Sequence, residues 1–252
     1  GVMDSNPASD ADLWIAYALG EAGRLWGVAR YRALASLLAA RVLREETVEV
    51  PGLGLTLLPA PVGFAEGEGR WRFNPSYMPM QVMHWLAGTE PQSAWRQLAD
   101  SSMKILLGSA PKGFSPDWTL YDTKQGFLID TKGTEKGEGT YNAIRVYLWA
   151  GMMHPDATGR RALLKALEPM AQHVRNQGYP PESIDILTGK ASGPAPSGFS
   201  VATRAARTSG WASIRSVSPR RSDCWAARRA ARPAAVREAL RQIVSGVTKL
   251  RR

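Results

Sequence analysis

The sequence predicts an all-α fold built from helix pairs, with small β-hairpins set in the loops between them. Three observations carry that prediction. Apolar residues recur at helical spacing in neighbouring stretches joined by short gaps. No strand–helix–strand alternation occurs, which removes a doubly wound sheet. The connecting loops are long and rich in aromatic residues, and in a compact helical domain loops of that length usually serve binding or catalysis.

Residues 10–26 read as the first helix. Residues 30–46 place Tyr31, Leu34, Leu38 and Val42 on one stripe and give a second. The short gap between them makes an antiparallel pair. "TVEVPGLGLTLLP" alternates apolar residues on each side of Pro51 and Gly52, which suits a hairpin. A Gly- and Glu-containing loop and "WRFNPSYMPM" lead into a helix near 80–86, and Trp95, Leu98, Ser102 and Ile105 mark its partner. A loop and a second hairpin occupy about 111–130, and helices at 141–153 and 160–177 complete the pattern. Phe64, Trp71, Phe73, Tyr77, Phe114, Trp118 and Tyr121 all fall in the connections. Such rings either roof the helices or face a ligand.

Composition narrows the function. The 252 residues suffice for one large domain or two small ones. His84, His154, His173 and the single Cys224 lack metal-ligand spacing, so no metal or cofactor site is expected. No run of about eighteen apolar residues is present to span a membrane, and no basic-then-apolar leader opens the chain. The first residues, "GVMDSNPASD", lack an initiator methionine, which points to an upstream segment.

A net charge of +10 suggests a nucleic-acid partner until its distribution is read. From residue 201 onward the only acidic residues are Asp223 and Glu238 while arginine recurs throughout, so residues 1–200 are close to neutral. Residues 202–252 form a separate basic, Ala- and Arg-rich tail. Its composition is that of GC-rich DNA read in a shifted frame, and a frameshift is favoured over an arm that binds a polyanion.

The first helix opens "ASDADLWIAYALGEAGRLW", with Asp10 and Asp12 two positions apart. One carboxylate in a first turn serves the orphan N–H groups and the positive end of the helix dipole. A second, at a rigid helix mouth beside aromatic residues, is the arrangement expected where a carboxylate faces a ligand. The stretch from Ala8 to Trp26 resembles the signature of glycoside hydrolase family 8, the inverting endoglucanases, in particular members encoded alongside bacterial cellulose synthase. "VPGLGLTLLP", "GFAE", "WRFNPSYMP", "APKGFSPDW", "YNAIRVYLWAGMM" and "NQGYPPESIDILTGKASGPAPSGFS" resemble further blocks of that family in the same order. The resemblance covers residues 1–201 and defines a partial catalytic domain ending where the tail begins.

What the resemblance implies is specific. The fold would be an (α/α)6 barrel of paired helices, here incomplete, with the long loops walling a glucan groove. The partner would be a β-1,4-glucan such as cellulose or a cello-oligosaccharide, with functional association with the cellulose synthase machinery and a periplasmic or secreted location. Asp10 would be the active-site aspartate of the signature, contacting the central sugar. Tyr77 matches the tyrosine near the attacking water, and Tyr141 and Arg145 flank the base position. Sugar rings need flat apolar platforms, for which Trp14, Trp71 and Trp118 are the candidates.

Two departures bear on activity. The base aspartate of the family is Asn142 here, and an amide orients water but takes no proton at neutral pH. Glu135 and Glu138 lie just upstream as replacement carboxylates, with solvated loop charge the preferred reading of both. The family's proton donor is a glutamate in a helix well before the signature, and the chain begins nine residues before Asp10. The expectation is an endo-β-1,4-glucanase domain with impaired turnover, the alternatives being a non-catalytic glucan-binding protein or nucleic-acid binding through the tail. A functional arm would confer nucleic-acid affinity that falls steeply with salt and vanishes on removal of residues 203–252. The frameshift reading predicts no such salt-dependent affinity in a filter-binding titration.

Overall fold

A computed structural model describes residues 4–132, 136–196 and 198–199; the basic tail lies outside the described residues. Among the described residues, seven α-helices and three small antiparallel sheets alternate. The expected hairpins are present, but the sheet content exceeds them.

Helices α1 (Ser9–Trp26) and α2 (Ala29–Glu45) pack as the predicted pair. Gly27 adopts the left-handed conformation at φ 69° and turns its N–H back to the Gly23 carbonyl, so the first helix ends there. Helix α3 (Met80–Thr89) packs on α4 (Trp95–Gly108) in the same way. Helix α5 (Ile144–Met152) contacts α6 (Arg160–Ala166).

The expected helix over 160–177 divides into α6 and α7 (Glu168–Gln177). Pro169 is the reason: it lacks an N–H for the helical ladder and is accommodated at the second position of a new helix.

Strands β1 (Thr47–Val50) and β2 (Gly54–Leu57) form the first hairpin, with Thr47 opposite Leu57. The second hairpin, β5 (Thr119–Asp122) and β6 (Gly126–Ile129), is part of a four-stranded sheet in the order β3-β4-β5-β6. Strands β3 (Ala65–Gly67) and β4 (Arg70–Phe73) occupy the stretch read from sequence as loop and helix approach. β3 and β4 pair locally, Ala65 opposite Trp71, but β4 joins β5 at long range, Trp71 opposite Tyr121 and Phe73 opposite Thr119, so no local pattern exposes the sheet. The third sheet, β7 (Glu138–Gly139), β8 (Pro181–Asp185) and β9 (Ala191–Pro194), was not expected either, being short and poor in β-branched residues.

Contacts along the helices show how α1, α3 and α5 are aligned. Asp10 and Arg145 meet near the starts of α1 and α5, and Trp14 and Trp149, each four residues further on, meet at 5.1 Å. Hence α1 and α5 run side by side in the same direction. The Trp149 indole N–H donates to the Ser76 carbonyl just before α3, and Tyr17 meets Trp85 at 5.2 Å. All three helices therefore begin at one end, where the candidate site residues collect. Leu13, Phe73, Met83, Leu86, Trp95, Leu98, Tyr147 and Leu163 form the centre of one continuous buried core.

The α1–α3 contact depends on an absent side chain. A Cβ on Gly20 would stand 2.1 Å from the Trp85 ring, whose indole N–H is held by Glu21 at 2.8 Å. Gly20→Ala therefore overpacks the contact although alanine favours helices, and we expect a net loss of about 1–3 kcal/mol in denaturant unfolding.

Candidate active site

Asp10 sits in the first turn of α1. Its Oδ2 accepts from Arg145 Nη1 at 2.9 Å, across 135 residues of sequence. The same guanidinium donates through Nη2 to Asn142 Oδ1 at 2.7 Å. One planar fork thus fixes a carboxylate on α1 and an amide in the turn before α5, a geometry that a lysine ammonium does not reproduce. Both ends of the pair stay accessible, the Asp10 side chain 16% and the Arg145 side chain 32% exposed.

Tyr77 completes this group. Asn74 Oδ1 accepts from the Ser76 N–H and hydroxyl, holding the single 3-10 turn Pro75–Tyr77 that carries it. The Arg145 guanidinium stands 5.6 Å from the Tyr77 ring centroid. Burial, reinforced by the Asp10 charge, raises the phenol's pKa, so Tyr77 is a hydroxyl donor and not a phenolate at neutral pH. Asp10, Tyr77, Asn142 and Arg145 are therefore brought together.

The remaining candidates take different positions. Trp14 lies one turn along α1 from Asp10, its ring in contact with those of Trp149 and Tyr17. Trp118 approaches Tyr77 at 6.3 Å, stacks parallel to Phe64 at 5.8 Å and carries the Arg72 guanidinium 4.0 Å from its ring centre. Arg72 is anchored in turn by the buried Asp130 at 2.6 Å. Trp71 is on the opposite face of β4 from Arg72 and packs against the core. The exposed Tyr141 donates its hydroxyl to Glu182 at 2.9 Å and meets Phe199 edge-on. Glu138 lies on β7 opposite Asp185, and Glu135 is outside the described residues. Among the described residues, no three His, Cys, Asp or Glu side chains are placed to hold a metal ion.

The paired aspartates of α1 divide their duties. Neither is the N-cap, which is Ala8 without a side-chain bond. Asp12 faces Glu46 at the end of α2, a side chain with no solvent exposure and no donor on either carboxylate oxygen. Burial, reinforced by the Asp12 charge and a hydrogen bond to it, pushes the Glu46 carboxyl up to about 8. A pKa above neutrality keeps the Glu46 carboxyl uncharged at pH 7 beside the Asp12 side chain.

Sequence reasoning missed Glu46, Arg72 and Trp149 in these arrangements, and had Phe64 only as one of the rings in the connections. "WRF" and "GFAE" are legible as aromatic-rich text, but which rings stack is decided by β4 pairing with β5. Asp117 was also missed; it is fully buried beside the turn that carries Asn142.

Such a site, a charge-fixed carboxylate beside a protonated phenol with indole rings around them, has the equipment of a carbohydrate-processing domain: hydrogen-bonding groups for hydroxyls and apolar faces for pyranose rings. Comparison with known proteins identifies the lineage. Residues 1–218 match the profile of the glycosyl hydrolases family 8, and the chain belongs to that family. It is 48% identical over 202 residues to an endoglucanase of Escherichia coli (strain K12), with 80% of this chain and 53% of that protein aligned. An endoglucanase of Salmonella typhi is 46% identical over 201 residues, with the same coverage. The chain thus spans about half the length of these curated relatives. Among solved structures, the endo-1,4-D-glucanase of Vibrio fischeri ES114 superposes with a TM-score of 0.77 at 38% identity, covering 99% of this chain and 66% of that one. A family 8 endoglucanase from Klebsiella pneumoniae shares the fold at a TM-score of 0.71 and 24% identity, covering 81% and 64%.

The Glu46 acid has a consequence for stability. Its pKa in the folded chain lies above the ordinary 4.5, so the folded state binds more protons than the unfolded state between pH 4.5 and about 8. Stability therefore falls as pH rises through that window, by up to about 1.4 kcal/mol per pH unit, and levels off above it. Glu46→Gln keeps the shape of the side chain without a titrating proton. Thermal unfolding of that variant should lose this slope and exceed the parent at pH 8.

Proposed function

We propose that this chain supplies the Asp10 portion of an endo-β-1,4-glucanase site, in a helix-pair barrel of the (α/α)6 type, that handles cellulose or cello-oligosaccharides with inversion. The observation that carries the reading is the Arg145 fork. It holds the Asp10 carboxylate and the Asn142 amide together beside the Tyr77 ring; in this reading Asp10 contacts the central sugar and Tyr77 lies near the attacking water. The likeness to endoglucanases of Escherichia coli and Salmonella typhi supports the substrate class. Location outside the cytoplasm and functional association with cellulose synthesis belong to the same proposal.

Inverting hydrolysis needs a protonated carboxyl to release the leaving oxygen and an ionised one to activate water, about 6.5–9.5 Å apart. Position 142 holds an amide. Arg145 occupies its Oδ1, so its NH2 group is left to donate to a sugar oxygen or a water lone pair. An amide held this way orients a water but takes no proton from it, which favours glucan retention over turnover in this chain. A glucan-binding protein without hydrolysis is accordingly the second reading.

Calorimetric titration with cellohexaose and reducing-end release from carboxymethylcellulose separate the two. Micromolar to millimolar binding with little release is expected of the parent, and Asn142→Asp should raise release by about 10²-fold if the base is what limits turnover. Absence of binding would overturn the glucan reading. Parent release equal to that of Asn142→Asp would overturn the role assigned to position 142.

A further inference from the structure

Helix α5 begins without a cap of its own. No side chain at its N-cap, Ala143, accepts a backbone N–H, and its first turn holds no acidic residue. A helix start leaves its leading N–H groups without helical partners; here those of Ile144, Arg145 and Val146 reach the Thr140, Asn142 and Ala143 carbonyls of the tight preceding turn, and the buried N–H groups of that turn need an acceptor in their place. The need is acute because Asn142 precedes this helix and Arg145 lies in its first turn.

The acceptor comes from the loop between α4 and β5. Asp117, fully buried, accepts the Thr140 N–H at 2.9 Å and the Ala143 N–H at 2.6 Å on Oδ1, and the Thr140 hydroxyl on Oδ2. All its side-chain bonds go to the turn that carries Asn142. Its own N–H donates to the Glu138 carbonyl at 2.9 Å. Two residues earlier, the Ser115 N–H donates to the Tyr147 hydroxyl at 3.0 Å, one turn further along α5. A Cβ on Gly139 would stand 2.1 Å from the Ser115 carbonyl oxygen, so the two segments are in direct backbone contact. The chain neighbour of Asp117 is Trp118, whose ring meets Tyr77.

We propose that Asp117 is a positioning residue of the site: by holding the turn that opens α5 from a distant loop it orients Asn142 and Arg145 toward Asp10, and sets the spacing between them and the Trp118 ring. The negative charge lies at the positive end of α5, where the helix dipole stabilises it. Three charge-assisted bonds hold the turn more firmly than neutral acceptors would. The site's geometry is thereby tied to a carboxylate that touches no substrate.

The role is separable from general stability by comparing Asp117→Ala and Asp117→Asn with Tyr147→Phe, which damages the same loop without touching the Asp117 bonds. The first readout is the Arg145 guanidinium by NMR. Anchored at Asp10 and Asn142, its Nη groups rotate slowly and give separate signals in the parent. Asp117→Ala should merge them and weaken cellohexaose binding by about tenfold. Asp117→Asn, which keeps the Oδ1 acceptor, should largely restore both. Tyr147→Phe should lower the thermal midpoint and leave the Arg145 signals separate. Separate signals in Asp117→Ala, or merged signals in Tyr147→Phe in proportion to its lost midpoint, would overturn the proposal. Should Asp117→Ala fail to fold, Thr140→Val removes only the Oδ2 bond and should broaden the same signals; sharp signals there would also overturn it. The binding arm rests on the glucan reading, whereas the guanidinium signals do not. A parent with separate Nη signals and no cellohexaose affinity would sink that reading alone.

Discussion

The Arg145 guanidinium joins the first helix of the described chain to the fifth, and the candidate site depends on that junction. Its two amino groups hold a carboxylate and an amide that are 132 positions apart in the sequence but share one plane of hydrogen bonds. An ion pair of this kind, about one-third exposed at the arginine end, adds modestly to stability. Its larger effect is geometric. A bidentate donor permits few relative orientations of α1 and α5, and the Trp14–Trp149 contact one turn below restricts them further.

Around that junction the fold spends buried polar groups on alignment. Asp117 holds the turn that opens α5, Asn74 holds the turn bearing Tyr77, and Asp130 fixes Arg72 over Trp118. Each is buried, and each would be unfavourable without its partners. Together they preorganise a half-exposed cluster, in agreement with the general need for rigid second contacts behind a site. The Asp12–Glu46 pair is different in kind: two carboxyl groups share one environment because one of them keeps its proton, tying the start of α1 to the end of α2. The two aspartates that open α1 therefore face separate partners, one across the site and one within the helix pair.

Aromatic residues illustrate how little a ring's presence says about its use. Trp14, Trp71 and Trp118 read alike as platforms, yet one is packed against Trp149 and Tyr17, one packs on the core, and one is stacked with Phe64 and Arg72. Strand alternation separates Trp71 from Arg72, and the sheet that imposes it pairs residues about fifty positions apart. A guanidinium on an indole leaves the ring rigid and electropositive on that side, which changes what the ring can bind.

The sequence by itself determined the helix pairs, because 3.6-residue periodicity is a local property, and both short hairpins, because Pro51, Gly52 and the alternation around them are local too. It also determined the family and the identities of Asp10, Tyr77, Asn142 and Arg145 as candidates, through blocks of text matched in order. Pro169 was legible as a break within the apparently continuous helix, since its missing N–H is local. Tertiary structure alone decided how the strands join into four-stranded and three-stranded sheets, the burial of Glu46 and the hold of Asp117 on the turn before α5. Those features arise from pairings between distant segments, and the environment that protonates Glu46 or directs Asp117 at α5 exists only once those segments are packed together.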